Sequence, residues 1–88
     1  MISEKVIVKN KIGFHARPAS LLVKAADKFK SNINIIKGDK TAKAKSMISL
    51  LTLRVKMNDE IVITAEGCDE NEAVYTLVEL INSKFGEE

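Results

Sequence analysis

Strand-like and helix-like segments alternate along this chain in the order βαββαβα, which predicts an α+β domain: an open-faced β-sandwich, with a four-stranded antiparallel sheet and three helices packed on one face. Three observations carry that expectation. Short runs rich in β-branched residues alternate with segments whose apolar residues recur at the helical period. Gly38-Asp39 joins two of the strand-like runs through a two-residue hairpin. The 88 residues supply one modest core, too small for a sheet buried on both faces, and residues 1–88 are taken as a single domain.

Lys5-Val6-Ile7-Val8 has β-branched residues after a polar start and predicts the first strand, with Asn10-Lys11-Ile12-Gly13 as the loop behind it. From Ala16 the pattern turns helical, with Ala19, Leu22, Val23, Ala26 and Phe29 on one stripe. Pro18 falls in the first turn, where its missing amide does no harm. Asn32–Lys37 predicts the second strand and Lys40–Lys43 the third, antiparallel across the hairpin. Ser46 is placed as N-cap of a short helix through Leu53. Met57-Asn58-Asp59 makes a turn, with Asn58 suited to a left-handed conformation, and Glu60–Ala65 is the fourth strand. Asp69 with Glu72 approximates a capping box for a long helix carrying Ala73, Val74, Leu77, Val78, Ile81 and Phe85, with Gly86 behind it.

Hydrophobic residues at 45% and charged residues at 30% describe a folded globular chain rather than a disordered one. No apolar run is long enough to span a bilayer and the N-terminus lacks signal-peptide organisation, so a cytoplasmic protein is expected. One histidine and one cysteine cannot make a metal cluster or an internal disulfide. No metal or cofactor is therefore expected, and Cys68 is placed in a turn without a function.

Charge is divided along the chain. Residues 1–56 hold 13 of the 14 basic side chains and 3 of the 12 acids, and Lys5 to Ala26 contains no acid at all. The lone histidine, His15, lies inside that stretch where a loop becomes a helix. A neutral imidazole is a nucleophile, and a helix N-terminus offers free amides to a bound phosphate. Arg17 adds a fixed positive charge two residues on. A carboxylate beside the ring would repel an incoming phosphate, so a basic stretch without one suits holding and passing on a phosphoryl group better than hydrolysing it.

The short helix has two apolar sides: Leu50 and Leu53 lie on one, Met47, Ile48 and Leu51 on another roughly 150° away. One faces the core and the other is a candidate docking patch. Ser46 caps this helix. A phosphate on it would be favoured by the helix dipole and by nearby Lys43 and Lys45, and its charge would sit beside the patch.

Gly13-Phe14-His15-Ala16-Arg17-Pro18-Ala19 resembles the active-site signature of the HPr family, the phosphocarriers of the bacterial phosphoenolpyruvate-dependent sugar phosphotransferase system, and Lys45-Ser46 before an apolar helix resembles its second signature. The resemblance covers essentially the whole chain. It implies that His15 takes a phosphoryl group on Nδ1 from phosphorylated enzyme I and gives it to the IIA domains of sugar-specific enzymes II. It further implies that Arg17 neutralises phosphate charge, that the amides of Ala16 and Arg17 cap the phosphate, and that Lys24, Met47, Ile48, Leu51 and Arg54 border the docking surface. Such a carrier would be a monomer that needs partner enzymes rather than an enzyme itself. Ser46 matches the serine modified by HPr kinase/phosphorylase, which in the family recruits a catabolite-control transcription factor. Ile12, Ser49 and Arg54 depart from the family's usual small polar residue, glycine and small residue.

Three other classes compete. A regulatory HPr-like binding module in carbon catabolite control would keep the Ser46 switch with little carrier flux. Nucleic-acid binding would follow from the basic first part, but there is no GxxG loop and few aromatics are free to stack. A small hydrolase lacks a nucleophile and base pair near His15.

Overall fold

A computed structural model describes residues 1–11 and 13–86; Ile12 lies outside the described residues. The elements are β1 (Ile2–Ile7), α1 (Ala16–Ala26), β2 (Asn32–Lys37), β3 (Lys40–Lys43), α2 (Met47–Thr52), β4 (Glu60–Glu66) and α3 (Glu70–Asn82), closed by a 3-10 turn, Lys84–Gly86. The four strands form one antiparallel sheet in the order β1-β4-β2-β3. Helix α3 packs across β1, β4 and β2, and α1 packs on α2 and α3, so the helices share one face as expected for an open-faced sandwich.

Register explains the core. Val6 stands opposite Ile61, Ile63 opposite Ile35, and Ile35 opposite Ala42, so these alternate positions point together under the helices. They meet Leu22, Leu50, Leu77 and Ile81, all fully buried. On the opposite face the rows Ser3–Thr64–Asn34–Lys43 and Lys5–Val62–Ile36–Thr41 are mixed polar and apolar, which suits a sheet with one wet side.

Several boundaries differ from the sequence expectations, those of β4 (Glu66 rather than Ala65) and α2 (Thr52 rather than Leu53) by one residue. β1 begins at Ile2 rather than Lys5 and ends at Ile7, because β4 runs on to Glu66 and offers partners back to the N-terminus, pairing Ile2 with Ala65. α1 stops at Ala26, leaving Phe29 half-buried beyond it. α3 ends at Asn82, where Lys84 and Phe85 turn into the left-handed region (φ 58° and 57°), so Phe85 reaches the core from outside the helix.

The expected capping box also fails. Asp69 makes no side-chain cap; its carboxylate instead accepts from the Lys30 amide (2.8 Å), the Ser31 amide (3.0 Å) and the Ser31 hydroxyl. Glu70, not Glu72, reaches back, to the Gly67 amide at 3.1 Å. Ser31 is pressed so closely on Gly67 that an added Cβ there would come within 2.6 Å of its hydroxyl oxygen. Asp69 therefore serves two amides and a hydroxyl in the neighbouring segment, tying the start of β2 to the start of α3. The Ser31 hydroxyl first, and then the Lys30 amide, hold the Asp69 carboxyl below its ordinary range.

Candidate functional site

Val8 and Phe14 suspend the described residues between β1 and α1 from the segment that follows α2. The Val8 amide donates to Asp59 O (2.9 Å) and the Asn58 amide to Val8 O (2.6 Å). Asn58, at φ 75°, holds the left-handed conformation expected of it. Asn10 is buried, and its Nδ2 donates to Gly13 O (2.7 Å) while the Gly13 amide returns to Asn10 O (3.2 Å). Gly13 then turns at φ +72°, and a Cβ there would overlap the Val55 carbonyl and lie 2.8 Å from Lys56 Cα. Only glycine meets both demands. Phe14 fixes the last link: its amide donates to Val55 O at 3.0 Å and its buried ring meets Phe85 edge-on, centroids 5.8 Å apart.

His15 emerges from this anchorage as the N-cap of α1, with extended backbone (φ −96°, ψ −167°), and is half-buried. Its Nδ1 accepts a hydrogen bond from the Arg17 amide at 3.2 Å. A neutral imidazole that accepts at Nδ1 carries its lone pair there and its proton on Nε2. Pro18 has no amide, and the Ala19 amide is spent on His15 O (3.0 Å), so the amides at the helix mouth are those of Ala16 and Arg17. The Arg17 guanidinium side chain is exposed beside them. The geometry thus offers one nucleophilic nitrogen, two amide donors and a fixed cation at the positive end of an 11-residue helix.

α2 packs against α1 and shows the two faces expected of it. Leu50 and Leu53 are buried, whereas Ile48 is 77% exposed and Met47 and Leu51 border it on the surface. Ser46 is the N-cap; its Oγ accepts from the Ser49 amide at 3.3 Å. Lys24 is exposed in the last turn of α1. At the other end of α2, Arg54 takes a left-handed backbone (φ 54°), and Lys37 Nζ closes the helix by donating to Leu53 O (3.3 Å) and Arg54 O (2.8 Å) while pairing with Asp59 (3.1 Å). The Lys56 amide first, and then Lys37, hold the Asp59 carboxyl below its ordinary range.

The supporting residues were the ones sequence patterns missed. Asn10 sits in a loop signal and nothing in its neighbours marks it as buried; Lys37 reads as an ordinary strand lysine. The Phe14–Phe85 contact spans the chain and leaves no local trace.

The family profile described as "PTS HPr component phosphorylation site" matches residues 2–83. The phosphocarrier protein HPr of Mycoplasma capricolum is 40% identical over 77 residues, covering 88% of this chain and 86% of that protein. The HPr-like protein Crh of Bacillus subtilis is 37% identical over 84 residues, covering 96% of this chain and 99% of its own. Among solved structures, that of HPr from Thermoanaerobacter tengcongensis superposes with a TM-score of 0.97 at 46% identity, covering 100% of this chain and 99% of that one. No helix among the described residues is long and apolar enough to cross a membrane.

Proposed function

This chain belongs to the HPr family of phosphotransferase-system phosphocarriers, and we propose that His15 is the residue that carries the phosphoryl group. The observation that supports this most directly is the hydrogen bond from the Arg17 amide to His15 Nδ1, which leaves the lone pair on the nitrogen that faces the helix mouth. Nδ1 attacks the phosphorus of a phosphorylated donor; the donor's bond to phosphorus breaks and its electron pair returns to the donor. The Arg17 amide, no longer needed by Nδ1, is then free for a phosphate oxygen, together with that of Ala16. Arg17 offsets the added negative charge. Onward transfer repeats the exchange with an acceptor in the donor's place.

The donor is phosphorylated enzyme I and the acceptors are IIA domains. Each docks on the exposed side of α2 through Met47, Ile48 and Leu51, with Lys24 and Arg54 at its borders. Ser46 is a second, regulatory phosphorylation site for HPr kinase/phosphorylase: a phosphate there would replace a cap hydroxyl, next to the apolar docking face. That regulated state is the one a catabolite-control transcription factor would bind. The alternative of a regulatory module without carrier flux is favoured by the similarity to Crh, but the complete His15 site supports the carrier.

Incubation with phosphoenolpyruvate, magnesium and enzyme I tests the assignment. An acid-labile, base-stable phosphoprotein is expected in the wild type and none in His15→Ala. Persistent labelling of that variant excludes His15 as the acceptor.

A further inference from the structure

The chain from Leu53 to Asp59 joins α2 to β4 and touches both halves of the site. Two left-handed residues, Arg54 (φ 54°) and Asn58 (φ 75°), turn it back on itself. On one side, Val55 O accepts from the Phe14 amide (3.0 Å), Asp59 O accepts from the Val8 amide (2.9 Å), and Gly13 lies against Val55 and Lys56. On the other, the Arg54 amide donates to the carbonyl of Leu51, whose side chain is exposed on the apolar face of α2 (3.3 Å). A shift of this segment therefore moves His15 relative to that face.

A side chain from β2 ties the segment end to end. Lys37 follows buried Ile35 by two residues, so its stem points to the helix side of the sheet. Its Nζ reaches Leu53 O (3.3 Å), Arg54 O (2.8 Å) and the Asp59 carboxylate (3.1 Å). An ammonium has three donors, and here all three have an acceptor. The same Asp59 oxygen, Oδ2, also accepts from the Lys56 amide at 2.7 Å, which closes the turn before β4. Lys37 and Asp59 are both half-buried, where solvent ions screen their attraction less than at the open surface.

Resting on the carrier reading above, we infer that Lys37, acting through Asp59 and the carbonyls of Leu53 and Arg54, is a positioning residue that fixes His15 against the docking face of α2. A partner seated on α2 meets the imidazole at the right distance only while this segment keeps its shape. Lys37 touches neither phosphate nor partner. Its loss lowers the rate of transfer within a docked complex, where an error in placing the reacting atoms is felt most, and leaves the strength of docking nearly unchanged.

The test compares the wild type with Lys37→Met, Lys37→Arg, Asp59→Asn and the double variant Lys37→Met/Asp59→Asn. Transfer from His15 to a saturating IIA domain gives the rate within the complex, calorimetry gives Kd for that domain, and circular dichroism gives the folded fraction at the assay temperature. Lys37→Met is expected to lower the saturated rate about tenfold with Kd changed less than twofold, and to shift the amide resonances of Val8 and Phe14. Lys37→Arg, which still donates to several oxygens, is expected to recover most of the rate. Asp59→Asn keeps an oxygen for the Lys56 amide and removes only the charge, so a smaller loss is expected, and the double variant should lose no more than Lys37→Met because both act through one segment. A rate loss accounted for by unfolded protein, a Kd that rises while the saturated rate holds, or losses that multiply in the double variant overturns the inference. So do unmoved Val8 and Phe14 resonances in Lys37→Met, a reading that needs no phosphate. A wild type that does not label at His15 sinks the carrier reading instead, which separates the two failures.

Discussion

Replacing Gly13 with alanine attacks the anchorage of His15 without touching any group that handles phosphate. Two costs add. The left-handed backbone at φ +72° costs an alanine about 1 kcal/mol relative to glycine. The new Cβ also overlaps the Val55 carbonyl and crowds Lys56 Cα, main-chain atoms of a turn that Asp59 closes through the Lys56 amide and carbonyl. Relief requires the two segments to part, and parting breaks the bond from the Phe14 amide to Val55 O, which contributes about 1 kcal/mol, and loosens the turn closed by Asn10. With residual strain, the expected destabilisation is about 3 kcal/mol. For a domain of this size that lowers Tm by roughly 12–24 °C, measurable by circular dichroism. At a temperature where the variant is still folded, transfer through His15 should fall about 100-fold, since displacing a reacting atom by an ångström has that order of effect. A variant within 1 kcal/mol of the wild type that transfers at full rate would refute the view that Gly13 positions His15 through Val55.

Phe85→Ala empties the edge-on partner of Phe14 and should cost about 3–4 kcal/mol by urea unfolding, with a loss of transfer rate at His15 that exceeds the change in folded fraction. Arg54→Gly relieves about 1–2 kcal/mol of left-handed strain against about 0.5–1 kcal/mol of glycine entropy, so thermal melting should show a gain of about 0.5 kcal/mol. Asp59, Asp69 and Glu70 all have carboxyls held below their ordinary range, chiefly by the Lys56 amide, the Ser31 hydroxyl and the Gly67 amide respectively. A carboxyl depressed in the folded state stabilises above its unfolded pKa and loses that contribution as pH falls through its folded one. Urea titrations should therefore show stability declining from about pH 4 downward, with a shallower decline in Asp69→Asn.

What the sequence patterns predicted well was whatever depended on neighbours in the chain. The hairpin at Gly38-Asp39, the Ser46 cap and the two faces of α2 are settled within a few residues, and each stands where periodicity and turn chemistry put it. The misplaced features have distant causes. β1 starts early because β4 is there to pair with it, and Asp69 abandons its own helix because Lys30 and Ser31 lie alongside. The same division runs through the site: the residues from Gly13 to Ala19 announce themselves, whereas the groups that hold them still, Asn10, Val55, Lys37 and Phe85, acquire their roles only in three dimensions.

The strand order β1-β4-β2-β3 has a consequence for synthesis. Of the four strands, β1 is made before the others yet has no neighbour until β4 follows: Ile2 waits for Ala65, and the chain between them must be made before the sheet can close. The Val8 and Phe14 amides likewise wait for Asp59 and Val55. The hairpin of β2 and β3 can form early, but the loop that presents His15 cannot. A nascent chain therefore exposes the heptapeptide from Gly13 to Ala19 long before it has its folded geometry, and the proposed acceptor site matures with the closing of the sheet.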